Sequence, residues 1–358
     1  MDADTNVKMS AVPEPNKMSI DDFSKLVNGD EEVLLDFLAD LGVIAKSQTC
    51  SNCGDNMRRF FDKSKNQTFW ICTKSKNGVK CKGGKFSIRK GTFLQNVHLS
   101  IQQVLWYIWH FVHELSVKQC REYMSIGKYN KETVVEAYKS CRAICNDWIR
   151  ENFEPLGGFG TIVEFDESYF SGAPKYGRGG RGHAPSWEEE NPWVFGIVQR
   201  GSLDCWLQQV TNRRRTTLVP ILNSRLKQGS VLCSDKWGVY KELEQHLTVE
   251  DCEHFTVNHK KNFVDPDTGA YTQTVEGMWR HMKVFLPPYG IPPRYLDSYL
   301  GAFMWIRYAK QRDLHLFVFL FFECAAEQNR LFISHYKAVD LPSAKMTKKR
   351  TANRNNKR

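Results

Sequence analysis

Two acidic positions in this sequence follow apolar, strand-like stretches. Residues 161–170 read TIVEFDESYF, which carries Asp166 and Glu167 to the end of a strand, and Asp235 has the same place in residues 231–240, VLCSDKWGVY. One carboxylate at a strand end is common at turns and proves nothing. Two such carboxylates held close would repel and raise each other's pKa, which a divalent cation between them relieves. These residues therefore predict a Mg²⁺ site if the fold brings them together.

A third carboxylate comes from a helical segment. Residues 272–286 read TQTVEGMWRHMKVFL, with an apolar stripe at helical spacing. The stripe consists of Val275, Met278, Met282 and Phe285. Glu276, Arg280 and Lys283 fall together on another face. A carboxylate beside two cations fits a site that holds a metal and a phosphate backbone, although an ordinary surface helix has the same pairs.

The elements around these residues predict how they meet. From residue 161, three strand-like segments in a meander are followed by a helix, two further strands and a helix. This is the order of an RNase H-like fold, an α/β mixed sheet flanked by helices. Its first and fourth strands are neighbours, so we expect Asp166 and Asp235 side by side. Strand alternation does not choose between Asp166 and Glu167 when both faces of the sheet are covered.

Four cysteines precede this region with the spacing of a metal site. A C-x-x-C knuckle, Cys50 and Cys53, is followed by Cys72 after a strand-like TFWI and by Cys81 after a lysine-rich loop. Two thiolate pairs on successive hairpins make a tetrahedral zinc site of the ribbon type, which supplies folding energy to a segment too small for its own core. The alternative is a set of unrelated buried cysteines.

Residues 99–153 indicate three helices that resemble a helix-turn-helix. The third helix offers Lys131, Lys139 and Arg142 on its polar side, and a plain three-helix bundle is the alternative. Residues 50–150 carry 18 basic and 7 acidic side chains. Such an excess is the footprint of a chain that contacts a polyanion, which favours DNA.

The composition restricts the class of protein. The chain has 358 residues, a formal net charge of +10 and 41% hydrophobic residues, enough for a sizeable core. No apolar stretch reaches the roughly 20 residues of a membrane span, and the N-terminus lacks the apolar core of a secretory signal. We therefore expect a soluble protein made in the cytosol, without a membrane partner. Residues 341–358 carry 7 basic and no acidic side chains, which indicates a nuclear import signal or a DNA arm.

Several blocks of the sequence resemble a known family. VEFDESYF, WVFGIVQRGS, SDKWGVY, TVNHKKNFVDPDTGAYTQTVEGMWRHMK and YLDSYLGAFMWIR resemble, in order, Merlin-type DNA transposases and related bacterial insertion-sequence transposases. The resemblance covers roughly residues 50–310. It implies that the family's Asp-Asp-Glu triad maps onto Asp166, Asp235 and Glu276. This selects Asp166 as the metal ligand and leaves Glu167 as its neighbour in the turn. It also implies an RNase H-like fold, Mg²⁺ or Mn²⁺ as the metal, and cut-and-paste transposition through terminal inverted repeats.

Further side chains are candidates for contacting DNA or the reacting strand. His259 matches a block before the third carboxylate and is a candidate to orient a phosphate, although a core histidine fits as well. The glycine-rich segment after the first strand reads as a hairpin loop that follows a DNA backbone, or as an unconstrained surface loop. The cations predicted to bind DNA, besides those of the helical region, are Lys175, Arg178, Arg181, Arg280 and Lys283.

The predicted organisation follows from these segments. It comprises a disordered N-terminus (1–18), a helical segment (19–48), a zinc ribbon (49–95), a helix-turn-helix-like DNA-binding region (96–155), an RNase H-like catalytic domain (156–335) and a basic disordered tail (336–358).

The predicted function is that of a cut-and-paste transposase that cleaves and joins DNA strands with two metal ions. Its partners are double-stranded DNA, as terminal repeats and target, and a second copy of the chain in a dimer or higher oligomer on DNA. Its location is the nucleus, or otherwise the cytoplasm with DNA. The alternative is a domesticated transposase that acts as a DNA-binding regulator or an RNase H-like nuclease.

Overall fold

The structure is a computed structural model of the chain. It describes residues 19–76, 78–95, 97, 99–124, 131–170, 193–258, 264–266, 268–288, 290–312 and 324–325.

The described chain begins with two short capped helices. Helix α1 spans Ile20–Asn28 and helix α2 spans Glu31–Asp40. Ser19 forms a capping box with Asp22, and the Asp30 carboxylate accepts hydrogen bonds from the backbone N–H groups of Glu32 and Val33. Both helices bury their leucines in the core, which confirms the predicted helical N-terminal segment.

A small antiparallel unit follows α2. Its five strands are β1 (Arg58–Asp62), β2 (Gln67–Ile71), β3 (Ser75–Lys76), β4 (Val79–Lys80) and β5 (Lys85–Ser87). Strands β1, β2 and β5 form a three-stranded sheet with β2 in the centre, and β3 pairs with β4. The unit is joined to α2 by ion pairs from Arg59 to Glu32 and Asp36.

Three helices connect this unit to the large sheet. They are α3 (Ile101–Val112), α4 (Val117–Tyr123) and α5 (Lys131–Asn152). Ser100 and Ser116 each form a capping box that begins α3 and α4. Helix α5 packs against both α3 and α4, so the predicted helical region is present.

The large sheet contains five strands. They are β7 (Ile162–Tyr169), β8 (Trp193–Gln199), β9 (Cys205–Val210), β11 (Val231–Asp235) and β12 (Glu253–Val257), and a second, two-stranded sheet pairs β6 (Leu156–Gly157) with β10 (Leu226–Lys227). The order across the large sheet is β12-β11-β7-β8-β9. Strand β8 is antiparallel to its neighbours, while β11 runs parallel to both β7 and β12.

Three helices complete this part of the chain. Helix α6 spans Arg215–Arg225, α7 spans Gln273–Phe285 and α8 spans Pro293–Gln311. A meander of three strands, a helix, and two parallel strands placed beside the first strand are the topology of the RNase H-like fold. The predicted fold class is therefore confirmed: a mixed sheet flanked by helices, preceded by a four-cysteine unit and a helical region.

The core runs continuously from the helical region into the sheet. Helix α8 packs against α5 on one side and against β9 on the other. Trp206 of β9 and Trp305 of α8 are fully buried between these layers. In the part of the chain that the structure describes, no helix combines the length and apolar character needed to cross a bilayer.

The end of the first strand differs from the sequence-based expectation. Strand β7 does not stop at Asp166 and Glu167 but continues to Tyr169, paired with β8 along its whole second half. Glu167 is therefore a strand residue with 8% exposure rather than a turn neighbour. Its partner is Arg213, which allows a carboxylate to lie inside the sheet layer.

Candidate active site

Asp166 and Asp235 occupy the same level of two neighbouring parallel strands. The register of β11 on β7 pairs Val231 with Ile162 and Cys233 with Glu164. The same offset, continued along both strands, places Asp235 beside Asp166. Adjacent strands are about 4.8 Å apart, and residues at one level of a parallel pair point to the same face. The predicted juxtaposition of these two residues therefore follows from the observed topology.

Helix α7 crosses the sheet on the face that carries Asp166. The Trp279 indole Nε1 donates a hydrogen bond of 3.1 Å to Oδ2 of Asp166. Gly196, the partner of Asp166 on β8, leaves room for this ring, since a Cβ there would lie 2.5 Å from a Trp279 ring carbon. A glycine in the neighbouring strand thus lets α7 approach close enough for a helix side chain to reach the aspartate.

Glu276 lies on the exposed side of the same helix, one turn before Trp279. Helix α7 thus carries both Trp279, which contacts Asp166, and the exposed Glu276. The three carboxylates are not yet gathered to metal-binding distance. Within the described residues, only the four cysteines have ligand atoms that all lie within 4.8 Å of one another.

The surroundings of Asp166 favour a cation. Burial raises the pKa of Asp166 to about 6, and the charge of Asp235 adds to the rise. The Asp235 carboxylate accepts a hydrogen bond from the Trp237 backbone N–H at 3.2 Å. Carboxylate oxygens are the hard ligands that Mg²⁺ and Mn²⁺ prefer, and a cation relieves the repulsion between the two aspartates. The two aspartates therefore have the chemistry of ligands for a divalent metal, while Glu276 is not gathered with them.

The opposite face of β7 carries a buried ion pair that the sequence interpretation missed. Arg213 Nε donates to Oε2 of Glu167 at 3.2 Å. The Arg213 guanidinium lies 4.1 Å from the ring centre of Trp193 and 4.2 Å from that of Trp237. Burial raises the pKa of Glu167 to about 8, and the charge of Asp166 contributes. The available signal was the run of three arginines at 213–215, directly after the third strand.

A second missed carboxylate lies earlier on β7. Glu164 has no exposed surface and forms an ion pair with Arg200 at 2.8 Å. It also accepts hydrogen bonds from the Thr274 hydroxyl and the Val275 backbone N–H, at the beginning of α7. A glutamate within an apolar strand pattern was the available signal. Its partners are distant in sequence, so the pattern alone did not identify them.

The four predicted zinc ligands come together as expected. Cys50 and Cys53 precede β1, Cys72 follows β2 and Cys81 follows β4. Their Sγ atoms lie within 4.8 Å of one another, with 3.7 Å between Cys50 and Cys81 and 3.6 Å between Cys53 and Cys72. A tetrahedral Zn–S bond of about 2.3 Å implies a sulfur–sulfur separation of about 3.8 Å. The geometry therefore fits zinc.

The backbone around these cysteines also fits a bound metal. A Cβ on Gly83 would lie 2.0 Å from the Cys50 sulfur, so the cluster closes only because residue 83 is glycine. The Asn52 amide donates to the Cys81 sulfur at 3.2 Å, as expected for a group that orients a thiolate ligand. Hydrogen bonds from the backbone N–H groups of Asn52 and Cys53 lower the pKa of the Cys50 thiol to about 7.

The cations predicted to contact DNA occupy different environments. Lys139 is exposed on α5 and pairs with Glu136 at 3.2 Å, and Arg280 and Lys283 are exposed on α7. Arg142 differs from the prediction. Only 7% of this residue is exposed, and its guanidinium lies 4.0 Å from the ring centre of Tyr299 on α8. It joins two helices of the core, so it is not placed to contact a phosphate.

The remaining predicted residues cannot be placed in this site. Lys131 is the first residue of α5, and its side chain lies outside the described part of the structure. His259, Lys175, Arg178 and Arg181 also lie outside the described residues.

Comparisons with known proteins found similarities to transposase sequences and to one solved structure. Residues 155–308 match the family model of the ISXO2-like transposase domain. An uncharacterized transposase-like protein of Haemophilus influenzae is 29% identical over 97 residues, which are 27% of this chain and 74% of that protein. A solved simian T-cell lymphotropic virus intasome in complex with PP2A regulatory subunit B56 gamma is 13% identical. It covers 52% of this chain and 67% of its own, with a TM-score of 0.24.

Proposed function

We propose that the protein is a metal-dependent DNA transposase that binds terminal inverted repeats and cleaves and joins DNA strands. One observation carries the proposal: the register of β11 on β7 puts Asp235 beside Asp166. Helix α7 is attached next to them by the hydrogen bond from Trp279 to Asp166. The match of residues 155–308 to a transposase domain supports the same reaction class.

In this proposal Asp166, Asp235 and Glu276 hold the metal ions. Mg²⁺ or Mn²⁺ held there would supply the activation of a water or a 3′-hydroxyl and the stabilisation of the leaving oxygen in an in-line displacement at phosphorus. The protein supplies geometry: two strands fix the aspartates, and α7 fixes the side from which Glu276 approaches. Arg280 and Lys283, exposed on α7, supply positive charge toward the DNA backbone.

The other parts of the chain are proposed to hold the DNA. The four-cysteine unit binds zinc, and this unit together with the helical region carries the excess of basic residues between 50 and 150. Because transposition brings two DNA ends together, we propose that the protein acts as a dimer or higher oligomer on DNA. The basic tail is proposed to direct the chain to the nucleus.

The direct test uses purified protein, Mg²⁺ and duplex DNA that ends in the inverted repeats of its own element. We expect cleavage at the repeat ends by the wild type, and its loss in Asp166→Asn and Glu276→Gln with DNA binding retained. The matched control is Asp251→Asn, an exposed aspartate next to β12 at the end of the sheet opposite to Asp235. It should cleave like the wild type.

Two outcomes would change the proposal. Full cleavage by Asp166→Asn would exclude this residue from the reaction. Binding to the repeats without cleavage by the wild type would favour a domesticated regulator, whereas cleavage without joining would favour an RNase H-like nuclease.

A further inference from the structure

Glu164 lies on the same face of β7 as Asp166, two residues before it, but is completely buried. A buried carboxylate is retained only when its charge and its lone pairs are satisfied. Arg200 Nε donates to Oε1 at 2.8 Å, the Thr274 hydroxyl donates to the same oxygen at 2.7 Å, and the Val275 backbone N–H donates to Oε2 at 3.0 Å. Both carboxylate oxygens are therefore used.

Two of these three donors belong to the first turn of α7. The side chain of the N-cap residue, Thr272, does not cap this helix. The first N–H groups of a helix have no partner within the helix and attract negative charge. Glu164 supplies that partner from β7, 111 positions away from Val275 along the chain. A strand residue thus caps the helix in place of a local side chain.

Arg200 holds this cap from the other side. Besides its bond to Glu164, its Nη2 donates to the Tyr271 carbonyl at 3.0 Å, and its guanidinium lies 3.6 Å from the centre of the Tyr271 ring. Tyr271 directly precedes Thr272, the N-cap residue of α7. Arg200 therefore fixes the chain that enters the helix, while Glu164 fixes the first turn itself.

The next residue after Val275 is Glu276, and Trp279 follows one turn later. Helix α7 is therefore attached to β7 at two points, Glu164 with its first turn and Asp166 with Trp279. We propose that Glu164, held by Arg200, is a positioning residue that sets the place of Glu276 relative to Asp166 for metal binding. The proposal rests on the function proposed above, because it assigns Glu276 to the metal.

The first measurement follows the helix itself and requires no catalysis. In Glu164→Gln the amide nitrogen cannot accept, so at least one of the donors from Arg200, Thr274 and Val275 loses its partner. We expect hydrogen–deuterium exchange at the Val275 amide to become at least about tenfold faster. The matched control is Glu167→Gln, which removes a buried glutamate paired with arginine from the same strand on the face away from α7. It should leave exchange in residues 273–280 unchanged.

The second measurement tests the consequence for the metal. Mn²⁺ is titrated calorimetrically into zinc-replete full-length protein, and residues that orient a metal ligand typically change affinity about 10–100-fold when replaced. We expect a loss of this size in Glu164→Gln. In Thr274→Val, which removes one hydrogen bond and keeps the buried charge pair, we expect a smaller loss.

The outcomes separate this inference from the proposed function. Wild-type protein that binds no Mn²⁺ would contradict the metal site, whereas the exchange experiment would still report on the cap. If the wild type binds Mn²⁺ and Glu164→Gln matches it in affinity and in Val275 exchange, Glu164 has no positioning role. If Glu164→Gln does not fold, Thr274→Val decides: wild-type exchange and affinity in that variant would overturn the inference.

Discussion

The chain contains two places suited to metal, and they are built in opposite ways. In the ribbon, four cysteine sulfurs from two hairpins already lie within 4.8 Å of one another. The second place is the level of Asp166 and Asp235 on β7 and β11, which we call the sheet edge because Asp235 ends β11. Its three carboxylates come from two strands and a helix and are not gathered to that distance. Four thiolates would fill every position around a tetrahedral zinc ion, so the ribbon site is of the closed type.

The difference follows from what each region can do without metal. The four-cysteine segment is too small to fold on its own core, so the zinc proposed to bind there would have a structural role. The large sheet has a core of its own, including fully buried Phe165 and Phe195. It can therefore keep two carboxylates close together, at a cost in stability, without a ligand to hold the fold.

The largest expected effect is the loss of the ribbon in the double variant Cys50→Ser and Cys53→Ser. Structural zinc in small domains contributes on the order of 10 kcal/mol to folding. We expect the bound zinc to disappear and amide protection in residues 58–87 to collapse, while β7 stays protected. Metal analysis and hydrogen exchange measure both effects. Cys252→Ser, a cysteine outside the cluster, should retain zinc; zinc retained by the double variant would contradict the ribbon site.

The next effect concerns pH and the sheet edge without added Mg²⁺. The folded pKa of Asp166 is about 6, above the usual value of 3.8. Below pH 4 Asp166 is protonated in both the folded and the unfolded protein, so its burial does not lower the free energy of unfolding. As the pH rises through 6, the buried carboxyl ionises and the free energy of unfolding decreases. By this shift, Asp166→Asn should be more stable than the wild type at pH 7.5 by up to about 3 kcal/mol, with little difference at pH 4.

Urea unfolding at the two pH values measures this difference, and added Mg²⁺ should then stabilise only the wild type. If the free energy of unfolding depends on pH equally in the two proteins, ionised Asp166 does not destabilise the fold.

A smaller effect is expected from Gly83→Ala in the ribbon. The added Cβ would lie 2.0 Å from the Cys50 sulfur, so the cluster must open. Overpacking of this kind costs about 1–3 kcal/mol, and we expect weaker zinc binding in competition with a chelator. If this variant binds zinc with wild-type affinity, the four-cysteine cluster has room for a side chain at residue 83 and is not closed around the metal.

The smallest expected effect is a gain, in Gly277→Ala on α7. No atom lies within 4 Å of a Cβ at this position, and alanine favours the helix by up to about 1 kcal/mol. Thermal unfolding should show a modest increase in stability with unchanged zinc content. A destabilised variant would mean that α7 requires glycine beside Glu276, and hence that the sheet edge is tighter than we describe.

The sequence predicted the parts of the site that depend on element order. Asp166 and Asp235 end apolar stretches, and the succession of strands and helices sufficed to place them side by side. The apolar stripe of Val275, Met278 and Met282 likewise predicted the buried face of α7, and all three residues are buried.

The parts that the sequence did not predict depend on contacts between distant segments. Glu167 was predicted to lie in a turn because a charged residue in a strand buried on both faces does not follow the alternation of polar and apolar positions. Its burial is explained by the ion pair with Arg213, which is distant in sequence. Arg142 was predicted to be exposed because it lies on the polar side of α5. The spacing of residues along α5 does not reveal that α8 covers this side. Trp279 was assigned neither to the apolar stripe nor to the polar face of α7, although it is the residue that contacts Asp166 directly.

The contact between α5 and α8 joins the helical region to the part of the chain that contains the large sheet. Arg150 of α5 pairs with Asp297 of α8 at 2.5 Å, and Trp148 packs edge-on against Tyr308. Helix α5 ends only a few residues before β6. If the helical region holds DNA and the sheet cleaves it, as proposed, this contact fixes the distance between the two activities. We then expect the position of cleavage to depend on how α5 and α8 pack together.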